Sequence, residues 1–182
     1  MTVRIQRICV TGPESTGKTT LARQLAELTR AEWIPEASRL YAERVDRELL
    51  ASDVSPIARE HLALADPAAE RARAGGGSLV LDTDLVSTVL YARHYYNFVP
   101  PWIERAEHAR RADLYLLCDV DVPWVADGVR DRPSDREAMF DRFRRALARR
   151  RANVIVVRGD WDARWALARD AVASIVTRVG GT

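Results

Sequence analysis

Residues Gly12-Pro13-Glu14-Ser15-Thr16-Gly17-Lys18-Thr19 complete the pattern G-x-x-x-x-G-K-[ST]. The apolar run Arg7–Thr11 precedes it and a helical pattern, Thr19–Thr29, follows it. Glycines at both ends let the backbone curl so that successive N–H groups face inward and, with the helix N-terminus, bind phosphate oxygens. Nucleotide is therefore expected on Gly12, Glu14, Ser15, Thr16, Gly17, Lys18, Thr19 and Thr20. Lys18 reaches the β- and γ-phosphates in this reading, and the Thr19 hydroxyl is a magnesium ligand. The sequence lacks an Asn-Lys-x-Asp guanine reader, so ATP is preferred over GTP.

Carboxylates follow two further apolar runs. Asp82-Thr83-Asp84 comes directly after Ser78–Leu81, where an acidic group at a strand end holds the magnesium shell. Asp82 is assigned that role. Asp84 is open to two: reaching the substrate, or capping the helix that begins at Leu85. Glu36 follows Trp33-Ile34-Pro35 and is placed to accept or orient an attacking hydroxyl. Arg39, three residues on, either holds a substrate hydroxyl or pairs with Glu36 at the surface. Arg130, Arg132 and Arg136 crowd a charged loop at about 127–137 that reads as a mobile lid, or as a solvated basic loop. Arg130 is the catalytic candidate there, and Arg132 a nucleotide contact. After the last strand, Gly159 and Trp161 lie in a turn expected against the base, although Trp161 also suits helix-end packing.

The elements that must position these groups are legible as alternating runs. Arg7–Thr11, Ser78–Leu81, Asp113–Cys118 and Asn153–Val157 are unbroken apolar stretches, the mark of strands covered on both faces, and a short strand is expected at Glu32–Ile34. Helices are expected at Thr19–Thr29, Leu85–Tyr95, Trp102–Arg111, Ala138–Arg150 and Ala163–Val179. Ala51–Pro56 reads as a mobile polar turn, and Gly75–Gly77 as a flexible one. The alternation implies an α/β P-loop NTPase fold: an open parallel sheet of about five strands, helices on both faces, one domain over residues 1–182.

Composition narrows the class further. Hydrophobic residues make up 47% and charged residues 30%, enough for a core and too apolar for a disordered chain. Twenty-eight basic against 26 acidic residues leave a net charge of +2, too balanced to demand nucleic acid. Cys9 and Cys118 sit inside apolar runs and read as free core thiols. No signal peptide and no run of about 18 apolar residues is present, so a membrane is not an expected partner and a cytoplasmic location follows by default. Oligomeric state is not readable.

Four pieces together carry a resemblance: GPESTGKTTLARQLA at 12–26, PEASR at 35–39, DTDLVST at 82–88 and DVPWVADGVR at 121–130. In that order and at that spacing, the chain resembles the ribosylnicotinamide kinase domain of the bacterial NadR-type NAD biosynthesis proteins. Residues 123–130 are the most specific part. The resemblance implies transfer of the γ-phosphoryl group of ATP to the 5′-hydroxyl of nicotinamide riboside, with Glu36 and Asp82 meeting magnesium and ribose and Arg130 in the lid. It also implies a departure. Some members carry a tryptophan directly before the glutamate, where this chain has Pro35, so a stacking partner for the nicotinamide must come from Tyr91, Tyr95 or Trp102, each also explicable as core. NadR-type proteins usually join this domain to a nucleotidyltransferase, sometimes with a helix-turn-helix. This chain has room for neither, so adenylyl transfer and repression are not expected of it. A kinase of another nucleoside, such as a deoxynucleoside, is the second reading, and a nucleotide-dependent switch the third.

Overall fold

The computed structural model describes residues 5–123 and 135–176. Five strands, β1 (Gln6–Thr11), β2 (Glu32–Ile34), β3 (Ser78–Asp82), β4 (Leu114–Cys118) and β5 (Val154–Val157), form one parallel sheet in the order β2-β3-β1-β4-β5. β1 is central, with Val10 level with Asp82 of β3 and Thr11 level with Leu117 of β4. The helices are α1 (Lys18–Thr29), α2 (Ala37–Val45), α3 (Val54–Gly75), α4 (Leu85–Tyr96), α5 (Pro101–Ala109), α6 (Arg136–Arg149) and α7 (Trp161–Val176).

The strand alternation assigns each side chain to a layer. Ile8, Val10, Val80, Leu116 and Cys118 pack against Leu21 and Leu25 of α1 and Ala168 and Val172 of α7. Cys9, Leu79, Leu81, Tyr115 and Leu117 face the other way, onto α3, α4 and α6. Both faces are covered, which is why these strands read as continuous apolar runs. Cys9 and Cys118 are free and buried, and burial pushes both thiols up, Cys118 to about 11.

The five expected strands and five expected helices are present, with ends displaced by up to two residues, α7 being described as far as Val176. Two departures matter. Ala51–Pro56 is not a mobile turn: Ala51–Asp53 is a single 3-10 turn and α3 starts at Val54. Asp53 fastens this corner, accepting from the Leu50 N–H at 2.8 Å, from the Arg47 guanidinium at 2.7 Å and from the Tyr41 hydroxyl at 3.0 Å. α3 itself, 22 residues long, was not expected. Its buried stripe is mostly alanine (Ala58, Ala65, Ala68, Ala69, Ala72), and Pro67 interrupts its interior, so it lacks the contrast of a Leu-rich amphipathic pattern. α3 ends at the glycine triplet, where Gly76 is a left-handed cap at φ 67. Most of the expected lid lies outside the described residues. Its last residues, Asp135 to Glu137, open α6.

Candidate active site

The loop between β1 and α1 lies at the carboxyl end of the central strand, at the point where the chain's connections diverge to the β3 and β4 sides, the usual ligand crevice of such sheets. Gly12 is obligatory there: its φ is 135, and a Cβ would lie 2.7 Å from the Cys118 carbonyl oxygen. Gly17, at φ 80, is the N-cap of α1. The Lys18 ammonium donates to the Pro13 carbonyl at 2.7 Å, and the Thr16 hydroxyl donates to the same oxygen at 2.8 Å. Lys18 is thus buried and folded back over the loop's own mouth.

Asp82 closes β3 beside this loop. Its Oδ2 accepts from the Thr19 hydroxyl at 2.6 Å, while its buried Oδ1 has no hydrogen-bond partner among the described residues. Burial, and next the charge of Glu36, push the Asp82 carboxyl up to about 6, against the opposing pull of Thr19 and Lys18. A buried carboxylate oxygen without a donor, next to a threonine hydroxyl, is a set of hard oxygen ligands that suits magnesium. Among the described residues no group of three or more His, Cys, Asp or Glu forms a metal cage.

Glu36 is buried at the end of β2, two residues beyond Ile34, which is level with Leu81. It is the N-cap residue of α2 yet makes no side-chain cap bond. Instead it accepts from the Ser38 hydroxyl at 2.7 Å, and Arg39 Nε lies 3.9 Å from its second oxygen. Arg39 is thereby placed beside Glu36, with 40% of its side chain exposed.

Asp84 turns away from this group. Thr83, a β-branched residue at φ 66, reverses the alternation, so Asp82 meets α1 while Asp84 enters the opposite layer. There its Oδ1 accepts from the Val86 N–H at 3.0 Å as the cap of α4, and its Oδ2 accepts from the Tyr115 hydroxyl at 2.8 Å. Both oxygens are engaged within the fold, the first in the helix cap that is the alternative reading of this residue. Burial holds this carboxyl up at about 6.

Among the aromatic candidates, Tyr91 and Tyr95 stack at 5.9 Å and line a small recess with Pro13, Glu14, Arg136 and Met139. Trp102 instead packs with α3, α4 and α5, with the Arg59 guanidinium 5.7 Å from its ring centroid. That packing accounts for Trp102 without a ligand. A Cβ on Gly17 would meet the Trp161 ring at 3.3 Å, so Trp161 lies against the phosphate loop, partly exposed. Gly159, at φ 94, donates its N–H to Asp121 at 2.6 Å. Arg130 and Arg132 lie outside the described residues. Arg136 reaches the loop, donating to the Ser15 carbonyl at 3.3 Å and the Val122 carbonyl at 3.2 Å.

Arg164 was missed. It is fully buried and donates to the Thr16 carbonyl at 3.0 Å. Its signal was available: it continues the stripe of Ala168 and Val172 by one turn, and an arginine on a buried stripe requires partners.

The chain matches the model of a family described as AAA domain over residues 7–164. It is 28% identical over 168 residues to the trifunctional NAD biosynthesis/regulator protein NadR of Salmonella typhimurium, covering 88% of this chain and 40% of that one. It is 29% identical over 130 residues to the protein of that name from Escherichia coli, covering 69% of this chain and 31% of that one. A crystal structure of NadR in complex with NR superposes with a TM-score of 0.82 at 26% identity, covering 93% of this chain and 51% of that chain. The thymidylate kinase of Ehrlichia chaffeensis shares the fold, with a TM-score of 0.66 at 15% identity over 93% of this chain and 98% of that one. The chain therefore spans between about a third and about half of the NadR proteins it resembles.

Proposed function

The chain belongs to the AAA domain family, and from that premise and the site geometry we propose that it phosphorylates nicotinamide riboside at the 5′-hydroxyl, using ATP and magnesium, to yield nicotinamide mononucleotide. The observation that carries the proposal is the convergence of two buried carboxylates on one end of the phosphate loop: Asp82 bonded to Thr19, and Glu36 close enough for its charge to raise the Asp82 carboxyl. A carboxylate pair there serves phosphoryl transfer to a hydroxyl; a plain nucleotide binder has no need of the second. The NadR protein crystallised with NR supports the choice of nucleoside.

The loop N–H groups cradle the phosphates, and Lys18 exchanges its bond to the Pro13 carbonyl for the β- and γ-phosphates. Glu36, oriented by Ser38 and flanked by Arg39, accepts the proton of the 5′-hydroxyl as its oxygen attacks the γ-phosphorus. The bond from that phosphorus to the β–γ bridging oxygen breaks, and ADP leaves. Bound magnesium, held by Thr19 and Asp82, supplies charge neutralisation on the phosphates. Arg136, already against the loop, and Arg130 and Arg132 add positive charge on the transferring group, while Tyr91 or Tyr95 faces the nicotinamide and Trp161 the adenine. A cytoplasmic location belongs to the same proposal; among the described residues no helix is long and apolar enough to cross a membrane.

The test is a substrate panel with purified protein, ATP and magnesium. Nicotinamide mononucleotide should form from nicotinamide riboside. Phosphorylation of deoxycytidine or thymidine with nicotinamide riboside left untouched would refute the assignment.

A further inference from the structure

Arg164 takes no part in the chemistry proposed above, yet it is the largest side chain buried below 2% exposure. Burying a guanidinium is costly unless its donors are satisfied. Its Nε donates to the Gly159 carbonyl at 2.9 Å, its Nη1 to the Thr16 carbonyl at 3.0 Å, and its Nη2 to the Asp119 carbonyl at 3.0 Å and to the Asp121 carboxylate. The other Asp121 oxygen accepts from the Gly159 N–H. One planar fork thus ties together three segments distant in sequence: the phosphate loop, the end of β4 and the turn that enters α7.

What it ties is specific. A trans peptide unit points its C=O and N–H in opposite directions. Holding the Thr16 carbonyl therefore fixes the direction of the Gly17 N–H, a donor of the phosphate cradle. Holding Gly159 from both its carbonyl and its N–H fixes the turn two residues before Trp161, whose ring rests against Gly17. We infer that Arg164 and Asp121 form a positioning pair that sets the phosphate loop against the Trp161 face, and so determines nucleotide affinity without touching nucleotide. This rests on the ATP-binding reading of the loop.

The test compares wild type, Arg164→Met, Arg164→Lys and Asp121→Asn by calorimetric titration with ATP, steady-state kinetics and melting without nucleotide. Arg164→Met should raise KM for ATP on the order of tenfold to a hundredfold, while KM for the nucleoside moves by less than about threefold. Arg164→Lys should restore little, because one ammonium cannot span three carbonyls and a carboxylate. Asp121→Asn should show a smaller rise of the same kind. A purely structural role predicts a lower melting temperature with an unchanged KM for ATP, and that result overturns the inference. Should Arg164→Met fail to fold, an unchanged KM for ATP in Asp121→Asn overturns it equally. A wild-type protein that does not bind ATP would instead sink the reading of the loop itself, and the inference with it.

Discussion

At the scale of the residue, the site is defined by what each carboxylate is bonded to. Asp84 and Glu36 both stand at helix N-termini, yet only Asp84 accepts a cap bond. Asp84 is consumed by Val86 and Tyr115; Glu36 accepts from the Ser38 hydroxyl and lies beside the Arg39 guanidinium, which orient it. Replacing Glu36 by glutamine keeps the shape and removes the proton acceptor. Initial-rate measurements on Glu36→Gln should show kcat reduced by roughly 10²–10⁴-fold. A fall of only a few fold would demote Glu36 to orienting the hydroxyl, since loose phosphoryl transfer needs little base assistance.

At the scale of the element, α3 is the least expected helix and carries a titrating group of its own. His61 is buried on its inner face, near Asp66 of the same helix and the guanidiniums of Arg7 and Arg110. Burial holds its imidazole down at about 4, from an ordinary 6.5, the pull of Asp66 being insufficient to offset it. Between those values the unfolded chain binds a proton that the folded chain refuses. The stability from neutral His61 is therefore complete above pH 6.5 and is lost as pH falls toward 4, by about 3 kcal/mol in all. Urea unfolding at pH 7 and pH 5 should show about 2 kcal/mol of this loss in the wild type and a flatter profile in His61→Leu. Equal pH dependence in both proteins would remove His61 from the account.

At the scale of the whole molecule, the order β2-β3-β1-β4-β5 brings the phosphate loop, Glu36, Asp82, Asp121 and Trp161 to one end of the sheet. Glu36 arrives after β2, Asp82 after β3, the phosphate loop after β1, Asp121 after β4 and Trp161 after β5. A ligand that binds there only in the folded chain stabilises the whole fold by mass action. ATP with magnesium at a hundredfold over its dissociation constant should add about 2.7 kcal/mol, or about 5–10 °C in melting temperature for a chain of this size. Scanning calorimetry of wild type and Lys18→Ala would check it; an equal shift in both would place the nucleotide elsewhere.

Sequence by itself determined the phosphate loop, the parallel sheet and the positions of Glu36 and Asp82. Each of these is local: a contiguous motif, an unbroken apolar run, a carboxylate within two residues of a strand end. It left Asp84 open between substrate contact and helix cap, because the choice depends on one backbone angle at Thr83 that residue type does not announce. It passed over α3, whose alanine stripe is buried by close approach of backbones and not by large side chains. The place of Arg164 on the α7 stripe was legible, but its partners Thr16, Asp119, Asp121 and Gly159 were not. Long-range partnership of that kind is set by chain crossing, which only the tertiary structure decides.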